Sequence, residues 1–251
     1  MNAKKLSFLL LILVAVACTN RSTSSEQDEV RHWNNVLQQI NALLLENKAQ
    51  QTLDLAKQTL PEILESAEKN GTTDTLIYYA RKIFNACGNN YINTKQYKDG
   101  IDYMDSIGNH PLIREHCPHE LLSFKAGLNQ LYGNNPEAVR LAEDYLQLPV
   151  CTSANDFIRQ AEIISGVYMY SGNNLPKAIQ ILEKAIDVYR KGGNFPNMLR
   201  IMSRLGIYYH LSGEYEKAIA TNQEAIATYN DSIAPGNVVI AYGEQANLYA
   251  E

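Results

Sequence analysis

Four side chains able to ligate a transition metal stand within ten residues of one another: His110, His116, Cys117 and His119. Zinc takes four such ligands at tetrahedral angles, commonly as two pairs spaced for a turn or a helix. Cys117-Pro118-His119 is too cramped for that and no second cysteine lies close by, so the cluster reads as a solvated loop. His119-Glu120-Leu121-Leu122-Ser123 approaches H-E-x-x-H, but Ser123 stands where the second zinc-binding histidine is required. Phosphate-cradling glycine loops, nucleophile elbows and C-x-x-C pairs are absent, and Gly192-Gly193 reads as an inter-helix linker. No catalytic, cofactor or metal site assembles, so the chain is not read as an enzyme.

The elements carrying the remaining polar side chains are helical from Glu29 almost to the last residue. Of 251 residues 45% are apolar, enough for a helical core, and the net charge is −5. That acidic balance, with no Lys/Arg stripe, argues against nucleic acid as a partner. Met1 to Ala17 stands apart. Lys4-Lys5 precede an apolar run, Leu6 to Ala17, too short to span a membrane, which reads as a signal peptide over residues 1–17. Residues 18–28 are a polar tether expected to be disordered, and residues 29–251 form the helical array. Trp33 is expected in the core, Pro61 is expected to kink its helix, and Cys87, Cys117 and Cys151 read as unpaired thiols.

Within the array, Pro196 to Asn230 makes a helical hairpin. Met198, Met202, Leu205 and Tyr209 recur at spacings of four, three and four, lining one helix face. Ser212-Gly213 stops that helix, and Tyr215, Ala218, Ile219, Asn222, Ile226 and Tyr229 share a side of the next. Gly206 and Ala218 are small where the two helices are expected to cross. Ala178, Ile179, Ala185, Ile186 and Tyr189 precede their counterparts by forty residues, as Gly166 and Tyr168 precede Gly206 and Tyr208. Further pairs run from Asp74 to Ile107, from Leu121 (after a loop holding Pro111 and Pro118) to Leu148, and from Phe157 to Tyr189 with an extra residue in its turn (Gly172 to Pro176), behind a degenerate first pair. Asn237 to Glu251 reads as one more helix without a partner.

Leu205-Gly206, Tyr209, Gly213, Tyr215, Ala218 and Ala225 resemble the signature of a tetratricopeptide repeat, with Met202 and Asn222 departing from it. The resemblance implies an all-α, TPR-like α-solenoid of about five hairpins plus a terminal unpaired helix. It also implies that first helices of successive pairs line a concave groove that receives a protein or peptide segment. Groove positions carried over are Lys82, Asn85, Asn89, Tyr170, Arg200, Ser203, Arg204 and His210. Lys82, Asn85 and Asn89 resemble part of a clamp for a peptide carboxylate. Asparagine there would offer donor and acceptor to an extended backbone, and the cations would favour acidic ends.

Ala15-Val16-Ala17-Cys18 resembles a lipobox, which implies cleavage before Cys18, its acylation and a membrane anchor. Ala15-x-Ala17 also suits ordinary secretory cleavage, leaving a soluble periplasmic protein as the alternative. Two functional readings follow. One is a non-enzymatic interaction scaffold, lipid-anchored in a Gram-negative envelope on its periplasmic face or the cell surface. The other is a truncated extracytoplasmic TPR sensory module of a membrane-bound signalling or transcriptional regulator.

Overall fold

The computed structural model describes residues 27–149, 154–192, 195–228 and 243, and the regular elements among them are all helices. The expected signal peptide, Cys18, most of the tether, Cys151 and the Asn237–Glu251 helix lie outside the described residues. In chain order the helices are α1 (27–45), α2 (Ala49–Asn70), α3 (Asp74–Asn93), α4 (Tyr97–Ile107), α5 (Pro111–His116) and α6 (Pro118–Tyr132). They continue with α7 (Asn135–Gln147), α8 (Ala154–Tyr170), α9 (Leu175–Gly192), α10 (Phe195–Leu211) and α11 (Tyr215–Thr228). The chain divides into two compact units, Met1–Asn90 and Tyr91–Glu251. None of the described helices is long and apolar enough to cross a membrane.

Five short turns link successive helices, and each contains one residue in the left-handed region. These are Asn47 (φ 56°), Lys95 (59°), Gly133 (95°), Asn173 (44°) and Gly213 (78°). A helix ends readily where such a residue lets the next N–H groups reach back to its last carbonyls. Gly133, whose N–H bonds the Gln130 carbonyl at 3.1 Å, and Gly213, bonded to the His210 carbonyl at 2.9 Å, do this without a Cβ penalty. The fold is thus all-α and TPR-like, as the repeat pattern implies.

In the first unit Trp33 is 4% exposed and its ring lies 5.5 Å from that of Tyr79. Ser66 donates to Glu29 at 2.8 Å, tying α2 to α1. The first helix already includes Gln27 and Asp28, and Asp28 accepts from Arg31 at 3.1 Å. Pro61 sits inside α2, which runs on through it to Asn70.

In the second unit α6 packs on α7, α8 on α9 and α10 on α11, while α6, α8 and α10 also touch in succession. A single core runs through them, from Ala126 to Ala225. Met198, Met202, Leu205 and Tyr209 are all at most 6% exposed, so the spacing that suggested one face is the buried face.

Two expectations are corrected here. Residues 111–120 are not a loop: Pro111 opens α5, with His110 Nδ1 accepting from the Leu112 N–H at 3.2 Å, and Pro118 opens α6. A proline costs nothing at the first helical position, so two prolines seven residues apart start two helices. Between the last two pairs, the period of forty holds for the second helices, α9 and α11, but not for the first. Four residues separate α8 from α9 but three separate α10 from α11, so Tyr168 corresponds to Tyr209, forty-one residues on. Accordingly a Cβ at Gly166 would make only an ordinary 3.8 Å contact, whereas one at Gly206 would come 2.3 Å from Asn222 Oδ1.

Close approach at Gly206 is thus to Asn222 rather than Ala218. Asn222 is fully buried, and neither end of its amide has a hydrogen-bond partner among the described residues. Gly206→Ala is expected to destabilise the protein by about 1–3 kcal/mol through overpacking. Adding Asn222→Ala should remove most of that cost, because the obstacle goes and an unpaired amide goes with it. Urea denaturation of the two single variants and the double checks this; additive effects would contradict the contact.

Candidate functional site

Helix α3 begins where Thr73 Oγ1 accepts from the Leu76 N–H at 3.2 Å, with Asp74 in its first turn against the positive end of the helix dipole. Leu76, Ala80, Ile83, Phe84 and Cys87 are buried, which fixes the rotation of the helix. Tyr78, Lys82, Asn85 and Asn89, spaced by four, three and four, then share another face. Tyr78 is 52% exposed and the Lys82 ammonium lies 5.7 Å from its ring centroid. Asn85 and Asn89 are half-buried, and Asn89 Oδ1 is buried without a donor among the described residues. The three clamp candidates therefore line up on one helix, with an aromatic ring at one end.

The second unit places its candidates differently. Arg200 and Arg204 of α10 both turn to Glu162 of α8. Arg200 pairs with the Glu162 carboxylate at 2.7 Å, and Arg204 donates to the Glu162 carbonyl at 3.3 Å. Ser165 donates to that same carbonyl at 3.0 Å. The Tyr208 hydroxyl reaches Ser165; burial raises its pKa, while the Arg204 charge pulls the other way. Ser203 is buried and bonds the Leu199 carbonyl at 3.0 Å. Tyr170 stands 69% exposed, and His210 is half-buried, its ring 5.7 Å from that of Tyr215. Glu162, Ser165 and Tyr208 are thus site residues that the sequence reading missed. A lone glutamate inside the apolar run Ala161 to Ile164 was the available signal.

The metal-like cluster is dispersed into structural roles. His110 caps α5, Cys117 is buried between α5 and α6, and His119 Nε2 donates to the Pro149 carbonyl at 2.8 Å. Among the described residues no group of three potential metal ligands comes together. Cys87 and Cys117 are buried thiols, not a disulfide.

Two matching clusters hold α8 and α10 in place. Lys217 of α11 lies 5.3 Å from the Tyr209 ring centroid, and the Tyr209 hydroxyl donates to Glu183 of α9. One repeat earlier, Lys177 of α9 lies 4.5 Å from the Tyr168 ring and bonds Glu143 of α7 at 2.6 Å. The Tyr168 hydroxyl sits between Glu143 and Lys177 without a well-formed hydrogen bond to either. Burial pushes the Tyr168 pKa up to about 12. Tyr209 rises further, by burial first and then by its hydrogen bond to Glu183.

Residues 161–231 match the tetratricopeptide repeat family model. Among solved structures the chain is similar to BtubC (BKLC) from P. vanneervenii, with a TM-score of 0.63 at 11% identity over 80% of this chain and 83% of that one. It is also similar to the nearly identical TPR-like repeats of a Podosopora anserina protein, with a TM-score of 0.51 at 13% identity over 80% of this chain and 95% of that one. At such identities the likeness is one of fold. No curated protein matches the chain by sequence.

The raised tyrosine pKa values set a pH dependence. An unfolded tyrosine titrates near 10, so the folded state holds these protons more tightly. Their contribution is complete below about pH 10 and falls as pH rises toward 12. Stability should therefore drop as pH rises from about 10 to 12, by about 1–2 kcal/mol for each of Tyr168 and Tyr209. Urea denaturation should show a smaller drop for Tyr168→Phe with Tyr209→Phe; an equal one would contradict the assignment.

Proposed function

We propose that the protein is a non-enzymatic interaction scaffold that receives an extended segment of a partner protein along its first-of-pair helices. The observation supporting this most directly is the row Tyr78, Lys82, Asn85 and Asn89 on α3. An exposed ring, an ammonium without a carboxylate partner among the described residues and two amides at helical spacing suit a peptide backbone near an acidic end. Tyr170 and His210 supply comparable aromatic contact in the second unit. Arg200 and Arg204, already held by Glu162, act there as positioning groups more than as loose cations. The repeat-family match and TPR-like fold support the reading, since solenoids of this kind are extended binding surfaces.

Asn85→Ala with Asn89→Ala is expected to weaken binding of peptides selected against the wild-type chain by about tenfold. The thermal melt should stay where it is, because the buried Asn89 oxygen contributes no hydrogen bond that would be lost. A melt that falls together with affinity would assign these asparagines to structure instead.

The scaffold is further proposed to be exported and lipid-anchored through Cys18, on the strength of Lys4-Lys5, the apolar run and Ala15-Val16-Ala17-Cys18. On detergent phase separation the native protein should enter the detergent phase and Cys18→Ala should leave it. Partitioning that does not respond to the substitution would remove the anchor from the proposal.

A further inference from the structure

Away from the first-of-pair helices, a trough of about 400 Å³ runs between the end of α7 and the length of α9. That volume falls within the range of small-molecule sites. Leu146 and Leu148 form one wall, and Ile181 and Val188 the other. Ile181 and Val188 are seven residues apart and so lie almost in line along α9. Tyr145 and His119, their rings edge to face at 5.7 Å, close the trough on a third side. His119 is held in place by its hydrogen bond to the Pro149 carbonyl.

Lys177, Lys184 and Lys191 also recur at intervals of seven, a cationic line beside the apolar one, about 21 Å from end to end. Their situations differ. Lys177 is engaged by Glu143 and the Tyr168 ring, whereas Lys184 and Lys191 are exposed and have no carboxylate partner among the described residues. Of the nearby acids, Asp144 pairs with Arg140 at 2.6 Å and Glu183 accepts from the Tyr209 hydroxyl, while Asp187, on the rim itself, lies 3.7 Å from Arg190, whose guanidinium bonds Glu224 at 2.5 Å. In a chain of net charge −5 this is a local reversal, an apolar trough whose rim sets Lys184 and Lys191 against the single carboxylate of Asp187.

We propose that the trough binds a single long-chain aliphatic carboxylate. Its tail lies along Ile181 and Val188, and its headgroup sits at Lys184 and Lys191. The alignment of Ile181 and Val188 along α9 suits a slender chain better than a compact ligand. The lysines lie at the exposed edge, where a carboxylate keeps part of its hydration while gaining two charge-assisted hydrogen bonds. Binding here is independent of the α3 row, so the two readings stand or fall separately.

Titration of the full chain with monomeric cis-parinarate, in detergent-free buffer, tests the proposal. A saturable fluorescence rise, reversed by dodecanoate, is expected. Lys184→Glu with Lys191→Glu should raise Kd about tenfold or more without moving the thermal melt. Val188→Asp, which blocks the tail instead of the head, should do the same and provides a second route if the double variant folds poorly. Dodecanol, with the tail but no charge, should displace the probe at least about tenfold more weakly than dodecanoate. Asn85→Ala with Asn89→Ala should leave Kd unchanged. The proposal is overturned by the absence of saturable binding, by an unaltered Kd in both α9 variants, by equal competition from dodecanol, or by uptake only from anionic vesicles.

Discussion

A two-helix hairpin has more apolar surface than its own two helices can cover, so each hairpin must be closed by a neighbour. In the second unit a buried tyrosine helps make that closure directional. Tyr168 and Tyr209 project from α8 and α10 toward an acid on the second helix of the preceding pair and lie beneath a lysine on the second helix of their own. Three consecutive helices are thereby tied at one point. Rotation of the first-of-pair helix would separate the ring from both partners. Because successive residues on a helix differ by a fixed rotation, fixing Tyr209 also sets the direction of Arg204 and His210. The outward chemistry of the unit thus depends on an inward hydroxyl.

The same cluster explains how much the sequence disclosed. Its apolar periodicity identified α10 and α11 because those contacts are local, three or four residues apart. The pairing of Tyr209 with Glu183 spans twenty-six residues and that of Arg200 with Glu162 spans thirty-eight, so no local pattern announces either. The extra turn residue between α8 and α9 was legible, but counting forty for Gly166 and Tyr168 misaligned α8, because that residue shifts the first helix and leaves the second unchanged. His110, His116, Cys117 and His119 looked like ligands because composition was read without the backbone. Two prolines at helix openings place His110 at a cap and Cys117 in the core, separating what the sequence had placed together.

Charge placement distinguishes the two sets of groove candidates more sharply than residue type does. Lys82 and Arg200 are both cations on first-of-pair helices. Arg200 has a carboxylate 2.7 Å away that is nine-tenths buried, and a ligand would have to compete with that pair. Among the described residues Lys82 has only an aromatic face at 5.7 Å, an attraction that a ligand carboxylate can supplement rather than replace. In the proposed scaffold, recognition of an acidic segment would therefore fall to α3, and aromatic contact through Tyr170 and His210 to the second unit.

A similar argument orients the α9 trough. Its three lysines are equivalent in sequence, each seven residues from the next, and a reading by spacing would distribute their charge evenly. The tie between repeats removes that symmetry. Lys177 is engaged by Glu143 and the Tyr168 ring, and although burial works to lower its pKa, the hydrogen bond to Glu143 and the groups around it hold it raised, which describes a charge already satisfied. Positive potential left for a ligand is displaced toward Lys184 and Lys191. The contact that closes one hairpin on the next thus also gives the trough a head and a tail.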